Sequence, residues 1–366
     1  MTLAIGQAEP AVKSSTPIQD SPQHASPETT APKENEPPDA NSKDSSGSSE
    51  DEGRFFHRFL KAYWDEFKPK NEPVEEETAP APRRALPGPF ESPPFPSAEY
   101  QGYPLVGVPP DSSVYPLMKA IYGCPGGEQI KESRIKVYGW INASGNWSTA
   151  KKSNLPDSYW IVPNRYELDQ AVLRIERQVD SVQTDHIDVG FRSTLLYGID
   201  YRFMTAGGWF SEQLLKHNAL YGWDPTEQYI DVYFPGGIGQ GTIVRVGRWI
   251  ACPDIETQFA PDNYMGTHSI LFTFDTYTQT GVMATTMLNQ QWTVQACLNA
   301  GDDMAPWYKG AVACGMFGVR WVSKDNNDSI YAVLNQIDTA KFRHFIQYGQ
   351  PLGDPHQDGS LLYVAI

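Results

Sequence analysis

From about Ser133 onward, apolar and polar residues in this chain alternate with a period of two, the pattern of strands with one oily and one polar face. The clearest stretch runs from Asp185 to Phe203. Ile187, Val189, Phe191, Leu195, Tyr197, Ile199, Tyr201 and Phe203 share one parity, broken only by Ser193. The other parity carries Asp188, Gly190, Arg192, Thr194, Gly198, Asp200 and Arg202, with Leu196 as its one apolar exception. The same signature recurs in Leu168 to Arg177 and Gln291 to Asn299. Further candidates are Ser133 to Asn142, Gln228 to Phe234, Thr242 to Ile250, His268 to Phe274, Gly281 to Leu288, Ala311 to Val322 and Ser329 to Gln336. Turn residues separate several of them: Pro235-Gly236-Gly237, Asn289-Gln290, and Lys324 to Asp328. Together these predict an antiparallel meander of about ten strands.

Strand length then separates two ways of burying such a sheet. Strands of a soluble sandwich usually alternate over about five or six residues, whereas a strand that crosses a bilayer needs about 9 to 11. Asp185 to Phe203 exceeds both. Aromatics crowd the predicted strand ends (Tyr138, Trp140, Tyr229, Tyr233, Trp249, Tyr277, Trp292, Trp307, Tyr308, Trp321, Tyr331), where girdles at the headgroup level would place them. A sandwich core filled by the same rings is the competing arrangement. No run of 18 apolar residues occurs and mean hydropathy is −0.47, so no helix is predicted to cross a membrane, a test that barrels escape. The fold class predicted is all-β, an antiparallel transmembrane β-barrel over residues 133–366. Parity then assigns Arg174, Glu176, Asp188, Arg192, Asp200, Arg202, Arg245 and Arg320 to the lumen, because charges on the lipid face would cost roughly 2 to 4 kcal/mol near the midplane.

The N-terminal part is built differently. Nineteen of the 30 prolines precede residue 111, and residues 1–100 hold 18 acidic against 10 basic side chains within a chain of net charge −15. Residues 1–52 have too few large apolar side chains to offset chain entropy and are predicted to be a disordered acidic leader. Residues 53–68 break this with Phe56, Phe59, Leu60, Tyr63 and Phe67 at helical spacing opposite Arg58, Lys61 and Asp65, which predicts one short amphipathic helix. It could dock on the protein itself, lie on a membrane surface or plug a barrel. Residues 69–132 form a proline-rich linker leading into the barrel. Gly6-x-Ala8 resembles the small-x-small tail of a cleavage site, so a signal peptide that has lost its front is one expectation and an ordinary terminus the other. An acidic balance in both halves argues against nucleic-acid binding.

Candidate chemistry is sparse. The four cysteines, Cys124, Cys252, Cys297 and Cys314, show no zinc or redox spacing, and the seven histidines never pair at metal-ligand spacing; no metal or other cofactor is expected. Asp302-Asp303 and Asp325 to Asp328 lack the glycine and glutamate of a calcium loop and read as turns. No nucleophile elbow or phosphate loop occurs, so no catalytic residue is assigned and no enzyme activity is expected; a lumenal acid such as Glu176 would be the place for one. The segment Cys252 to Asn263 gathers Asp254, Glu256 and Asp262 near Arg248. It reads either as a surface loop or as a constriction folded into the lumen. Cys297 and Cys314 lie symmetrically about Ala300 to Gly310 on the predicted lumen parity, so they could meet as a cross-strand disulfide. Counting turns from the long Met204 to Glu227 loop does not put every later long loop at one end. One strand is therefore miscounted, or a long loop folds inward.

The block Val182 to Gly222 (VQTDHIDVGFRSTLLYGIDYRFMTAGGWFSEQLLKHNALYG), with GRWIACPDIETQFAPDNY, TFDTYTQTGVMATTMLNQQWTVQA and MFGVRWVSKDNND, resembles the Putative β-barrel porin-2 (OmpL-like) family. The resemblance runs from about Glu99 to Gly353. It implies a barrel in the outer membrane of a Gram-negative type bacterium, in contact with outer-membrane lipid and passing small hydrophilic solutes, with the leader in the periplasm. The alternative is a plugged or structural barrel that binds a partner or surface polymer through its long loops. Outer-membrane strands usually close on a terminal Phe or Trp, whereas this chain finishes Leu361-Leu362-Tyr363-Val364-Ala365-Ile366, so a barrel cut short is expected. Ten strands would then remain an open curved sheet unless the first pairs with the last.

Overall fold

The computed structural model describes residues 47–68, 106–154, 159–251, 258–263, 266–268, 272, 276–324, 329–337, 342–343, 356–357 and 361–365. The leader of residues 1–46 and most of the linker lie outside them. Helix α1 spans Gly47–Asp65, beginning several residues before the predicted start. Two short helices, α2 (Pro116–Tyr122) and α3 (Gly127–Glu132), occupy the end of the linker and lead into the sheet. Proline at the first turn of α2, where no intrahelical N–H is needed, fits its start.

Nine strands follow in order: β1 (Lys136–Asn146), β2 (Arg165–Arg177), β3 (Asp188–Gly198), β4 (Gly222–Phe234), β5 (Thr242–Ile250), β6 (Thr278–Met287), β7 (Trp292–Asn299), β8 (Cys314–Val322) and β9 (Ser329–Ile337). The pairs β10 (Phe342–Arg343) and β11 (His356–Gln357) form a separate ribbon, and β12 (Leu361–Ala365) returns to pair with β9. The main sheet is a ten-stranded meander in which each neighbouring pair is antiparallel. Among the described residues no pairing joins β1 to β12, so the sheet is not closed.

Two corrections to the predicted strands settle the loop problem. The described residues of the expected strand His268 to Phe274 belong to the connection between β5 and β6, and Leu361–Ala365 supplies a strand that was not predicted. With that exchange every long connection (147–164, 199–221, 251–277, 300–313 and 338–360) lies at one end of the sheet. The short turns (178–187, 235–241, 288–291 and 323–328) lie at the other, where β1 begins and β12 ends.

The two faces are the inverse of a soluble sheet. On the outer face Leu173, Val189, Ile230, Val246, Val282, Leu298 and Phe317 are exposed, while Arg174, Glu176, Glu227, Arg245, Gln295 and Arg320 on the other parity are buried. A protein folding in water would bury the first set and expose the second; a hydrocarbon solvent reverses the preference. Outer-face rings collect toward the strand ends: Trp147 edge-on to Tyr166 at 5.6 Å and Tyr197 against Trp223 at 4.7 Å at the long-loop rim, Phe234 and Trp292 at the other. Several aromatics assigned to a girdle from sequence instead face inward. Tyr229, Tyr233, Trp249 and Tyr331 are buried, because they share the parity of the charges.

Strand β3 ends before its pattern does. Gly198 takes φ +156°, where a Cβ would strike the Asp169 carbonyl at 1.9 Å, and Ile199–Phe203 winds into a 3₁₀ turn. Ile199, Tyr201 and Phe203, predicted on the lipid face, are therefore buried, Tyr201 and Phe203 with Leu196, Val172, Tyr159, Phe259 and Phe272 in an apolar cluster at the long-loop end. The exception Leu196 marked that cluster.

Candidate functional site

Bulges aim the charges of the inner wall. On β2 the register slips between Asn142 and Ala143 of its partner, leaving Asp169 extra, so that Asp169 and Gln170 are both buried and the parity changes between them. On β4 the slip falls opposite Leu195, where Pro225, which has no N–H to give a ladder, lies between Asp224 and Glu227. Upstream the even-numbered Asp224 is buried; downstream Glu227, Tyr229, Asp231 and Tyr233 are.

Across β1 to β5 these residues make one belt. Arg174 donates from Nε to Thr194 Oγ1 at 2.9 Å and from Nη2 to Glu227 Oε2 at 2.8 Å. Arg192 pairs with Glu176 at 2.7 Å and Glu227 at 3.2 Å, and Tyr138 donates its hydroxyl to Glu176 at 2.7 Å. Arg245 holds Asp231 through two bonds of 2.8 Å, with its guanidinium 3.6 Å from the centre of the Tyr229 ring. Three arginines thus face three carboxylates, all buried except the partly exposed Arg192. Across β6 to β9 the described residues show no such belt; Met283, Cys297, Met316, Tyr331 and Val333 pack there beside buried amides such as Gln279 and Asn335.

Other residues assigned to the lumen are placed differently. Asp188 is on the inner parity but sits at the short-turn end, held by Arg134 at 2.6 Å and Arg177 at 2.8 Å and by the N–H of Asp180. Arg320 is buried on β8 opposite Thr293 and Tyr331. Asp200 and Arg202 lie in the 3₁₀ turn rather than on a strand. Asp200 accepts from Gln170 Nε2 at 3.0 Å, and burial, then the nearby Asp169 carboxylate, push its carboxyl well above the ordinary range. Arg202 is spent on the Ala219 carbonyl and Asn218 Oδ1, each at 2.7 Å, and so braces its own loop.

The connection between β5 and β6 turns inward. Gln170 on the wall anchors it, donating to the Gln258 carbonyl at 2.8 Å and accepting from the Ala260 N–H at 3.0 Å. Phe259 between them packs edge-on to Trp140 at 5.3 Å and lies 5.0 Å from the Arg174 guanidinium. Asp254 and Glu256 lie outside the described residues, and of Asp262 only the backbone, in the turn Ala260–Asp262, is described. Arg248, expected beside those acids, is wholly buried 2.8 Å from Asp224 and donates to the carbonyls of Pro225 and Met204. At the other end Val106 packs with Val179, Tyr233, Ile243 and Met287, and Gly107 N–H donates to Ser181 Oγ at 3.0 Å. Both ends of the inner wall are therefore covered by the chain's own segments.

Cys297 opposes Met316, and Cys314 opposes Asn299, two positions from the mirror pairing expected. The two are diagonal neighbours on the inner wall and are not joined in a disulfide. Among the described residues no helix is long and apolar enough to span a membrane, which says nothing of strands.

Residues 134–346, more than half of the chain, match the family model described as Putative beta-barrel porin-2, OmpL-like. The chain belongs to this family. The OmpL-like porin-2 assignment agrees with the inverted faces and the alternation of long loops and short turns, and at a coarse level it means a porin-like β-barrel of the bacterial outer membrane. No curated protein and no solved structure matches the chain.

The sequence missed Glu227, Asp231, Thr194, Tyr138, Tyr229 and Gln170. For Glu227 the signal was hidden by Asp224-Pro225, which reads as a turn. For the others it was available, since a charge placed inward on one strand calls for a complement on the next.

Proposed function

We propose that this porin-2 chain is an outer-membrane channel through which small hydrophilic solutes diffuse passively along the charged side of the inner wall. The observation that carries the reading is the inversion of the two faces: ionised groups are clustered inside a wall whose outer surface is apolar. Porins present short turns to the periplasm and longer loops outside. Because β1 begins at the short-turn end, the leader would stand in the periplasm. The belt matches its charges one for one, which favours neutral and zwitterionic solutes and weak ion selectivity. No catalytic role is proposed, and Glu176, the acid a lumenal hydrolase would draw on, is committed to Arg192 and Tyr138.

A second reading, a plugged barrel that binds a partner or surface polymer through its loops, is favoured by the inward course of Gln258 to Ala260 and by Val106 at the other end. Single-channel recording of the full-length protein in planar bilayers separates the two. Current steps with a reversal potential near zero in a salt gradient are expected. Protein that inserts, stays heat-modifiable and passes no current would overturn the channel in favour of the plug.

A further inference from the structure

Helix α1 has three faces with different chemistry. The first is docked on the protein: Ala62 is buried, Arg58 Nη2 donates to Cys124 Sγ at 3.0 Å, and Glu66 pairs with Lys119 of α2. The second is a stripe of Phe56, Leu60, Tyr63, Trp64 and Phe67, all between 45% and 67% exposed. Their spacing of four, three, one and three residues covers an arc of about 100° at 3.6 residues per turn. Tyr63 meets Phe67 at 5.3 Å and Trp64 at 5.9 Å, so these three rings form one continuous surface. Between the stripe and the docked face runs a third, basic row of Arg54, His57 and Lys61, all exposed.

The first face fixes where the other two sit. Helix α2 holds α1 and itself meets the beginning of β1, where Val137 N–H donates to the buried Met118 sulfur at 3.0 Å. That is the short-turn end, where the strands leave the bilayer. An exposed aromatic stripe in water is costly, and one beside a basic row has the chemistry of a helix lying in a membrane interface, with rings at the acyl boundary and cations among phosphates.

We propose that α1 lies on the surface of the phospholipid leaflet at the short-turn end, its stripe sunk to the acyl boundary and its basic row against anionic headgroups. The proposal rests on the sheet being embedded in the membrane, and the test reads the two separately. A photoreactive benzophenone amino acid is placed at Leu60, Lys61 or Val189 of the full-length chain, reconstituted in vesicles of phosphatidylethanolamine and phosphatidylglycerol. Val189, exposed on the outer face of β3, reports on the sheet. Lipid adducts are expected at Leu60 and Val189, with several-fold fewer at Lys61. Adducts at Val189 without any at Leu60 would overturn the proposal and leave the barrel standing, as would crosslinks at Leu60 to a second copy of the chain. Absence of lipid at Val189 would overturn the embedded sheet, and the proposal with it.

Discussion

Arg174 on β2 and Glu227 on β4 meet at 2.8 Å although a whole strand separates them, because the short Thr194 side chain on β3 lies between and bonds both. Each is almost wholly buried, so neither charge is compensated by water if the other is removed. Glu227 also receives Arg192, which makes it the joint of the belt. Glu227→Ala is expected to cost about 3 to 5 kcal/mol of barrel stability, the range for breaking one side of a buried pair. Urea unfolding in detergent, read by heat-modifiability, measures it. The double change Arg174→Met, Glu227→Leu, which leaves Arg192 on Glu176, should cost less than Glu227→Ala alone if unpaired charge is the cause; a larger loss would assign the effect to packing.

Phe259 of the inward loop stands 5.0 Å from the Arg174 guanidinium of the wall. If the loop narrows the path, Phe259→Ala removes the ring packed on Trp140 and Arg174 while leaving the anchors of Gln170 to the loop backbone intact. Larger single-channel conductance with unchanged heat-modifiability is the expected result. Equal conductance would place the constriction elsewhere.

How much of this was legible depends on where a local rule governed. The alternation in Leu168 to Arg177 and Asp185 to Phe203 located two strands and the sides of Arg174, Glu176 and Arg192, since period and solvent preference act residue by residue, although the second strand stops at Gly198. Three features were not local. Gly198 ends β3 because its backbone meets that of Asp169, a contact across strands, so Asp200 and Arg202 left the strand they were assigned to. The bulge at Pro225 is a mismatch between two strands, visible in neither alone. The Cys297 and Cys314 register depends on where the loop between them begins, and two residues of error turned direct opposition into a diagonal.

Asp303 gives a test of the long-loop end by pH. Its Oδ1 accepts the Thr278 N–H at 2.8 Å, and its backbone carbonyl receives Gly207 N–H, so it joins two long connections to the start of β6. Burial pushes its carboxyl up to about 8. A folded value above the unfolded one of roughly 3.9 means that the folded state prefers the protonated acid. The stabilising contribution is then whole below about pH 4 and is lost as pH rises through about 8. Proteolysis within Ala300 to Gly310 should accelerate between pH 6 and 9 (~a hundredfold in opening equilibrium at most, at tenfold per unit), and Asp303→Asn should flatten that rise. A rise of the same steepness in Asp303→Asn would give the pH dependence to another group.

The opposite end can be opened separately, because what covers it is one short segment. Val106 is buried against Val179, Tyr233, Ile243 and Met287, and the chain beside it is tied by Gly107 to Ser181 and by the Asp111 N–H to Gln178 at 2.7 Å. Lys136 at the start of β1 holds the Asp111 carboxylate at 2.9 Å, and Tyr115 stacks on Tyr138 at 4.5 Å, so the cover leans directly on the charged belt. Val106→Asp puts a carboxylate into that apolar cluster. A buried charge without a partner costs far more than the few contacts Val106 makes, so the segment should leave its seat while the strands keep theirs. Faster cleavage near Gly107 and a rise in single-channel conductance are expected, with heat-modifiability unchanged. Faster cleavage without added current would show that Val106 to Asp111 covers the short-turn end without limiting the path, and the limit would then lie with Phe259.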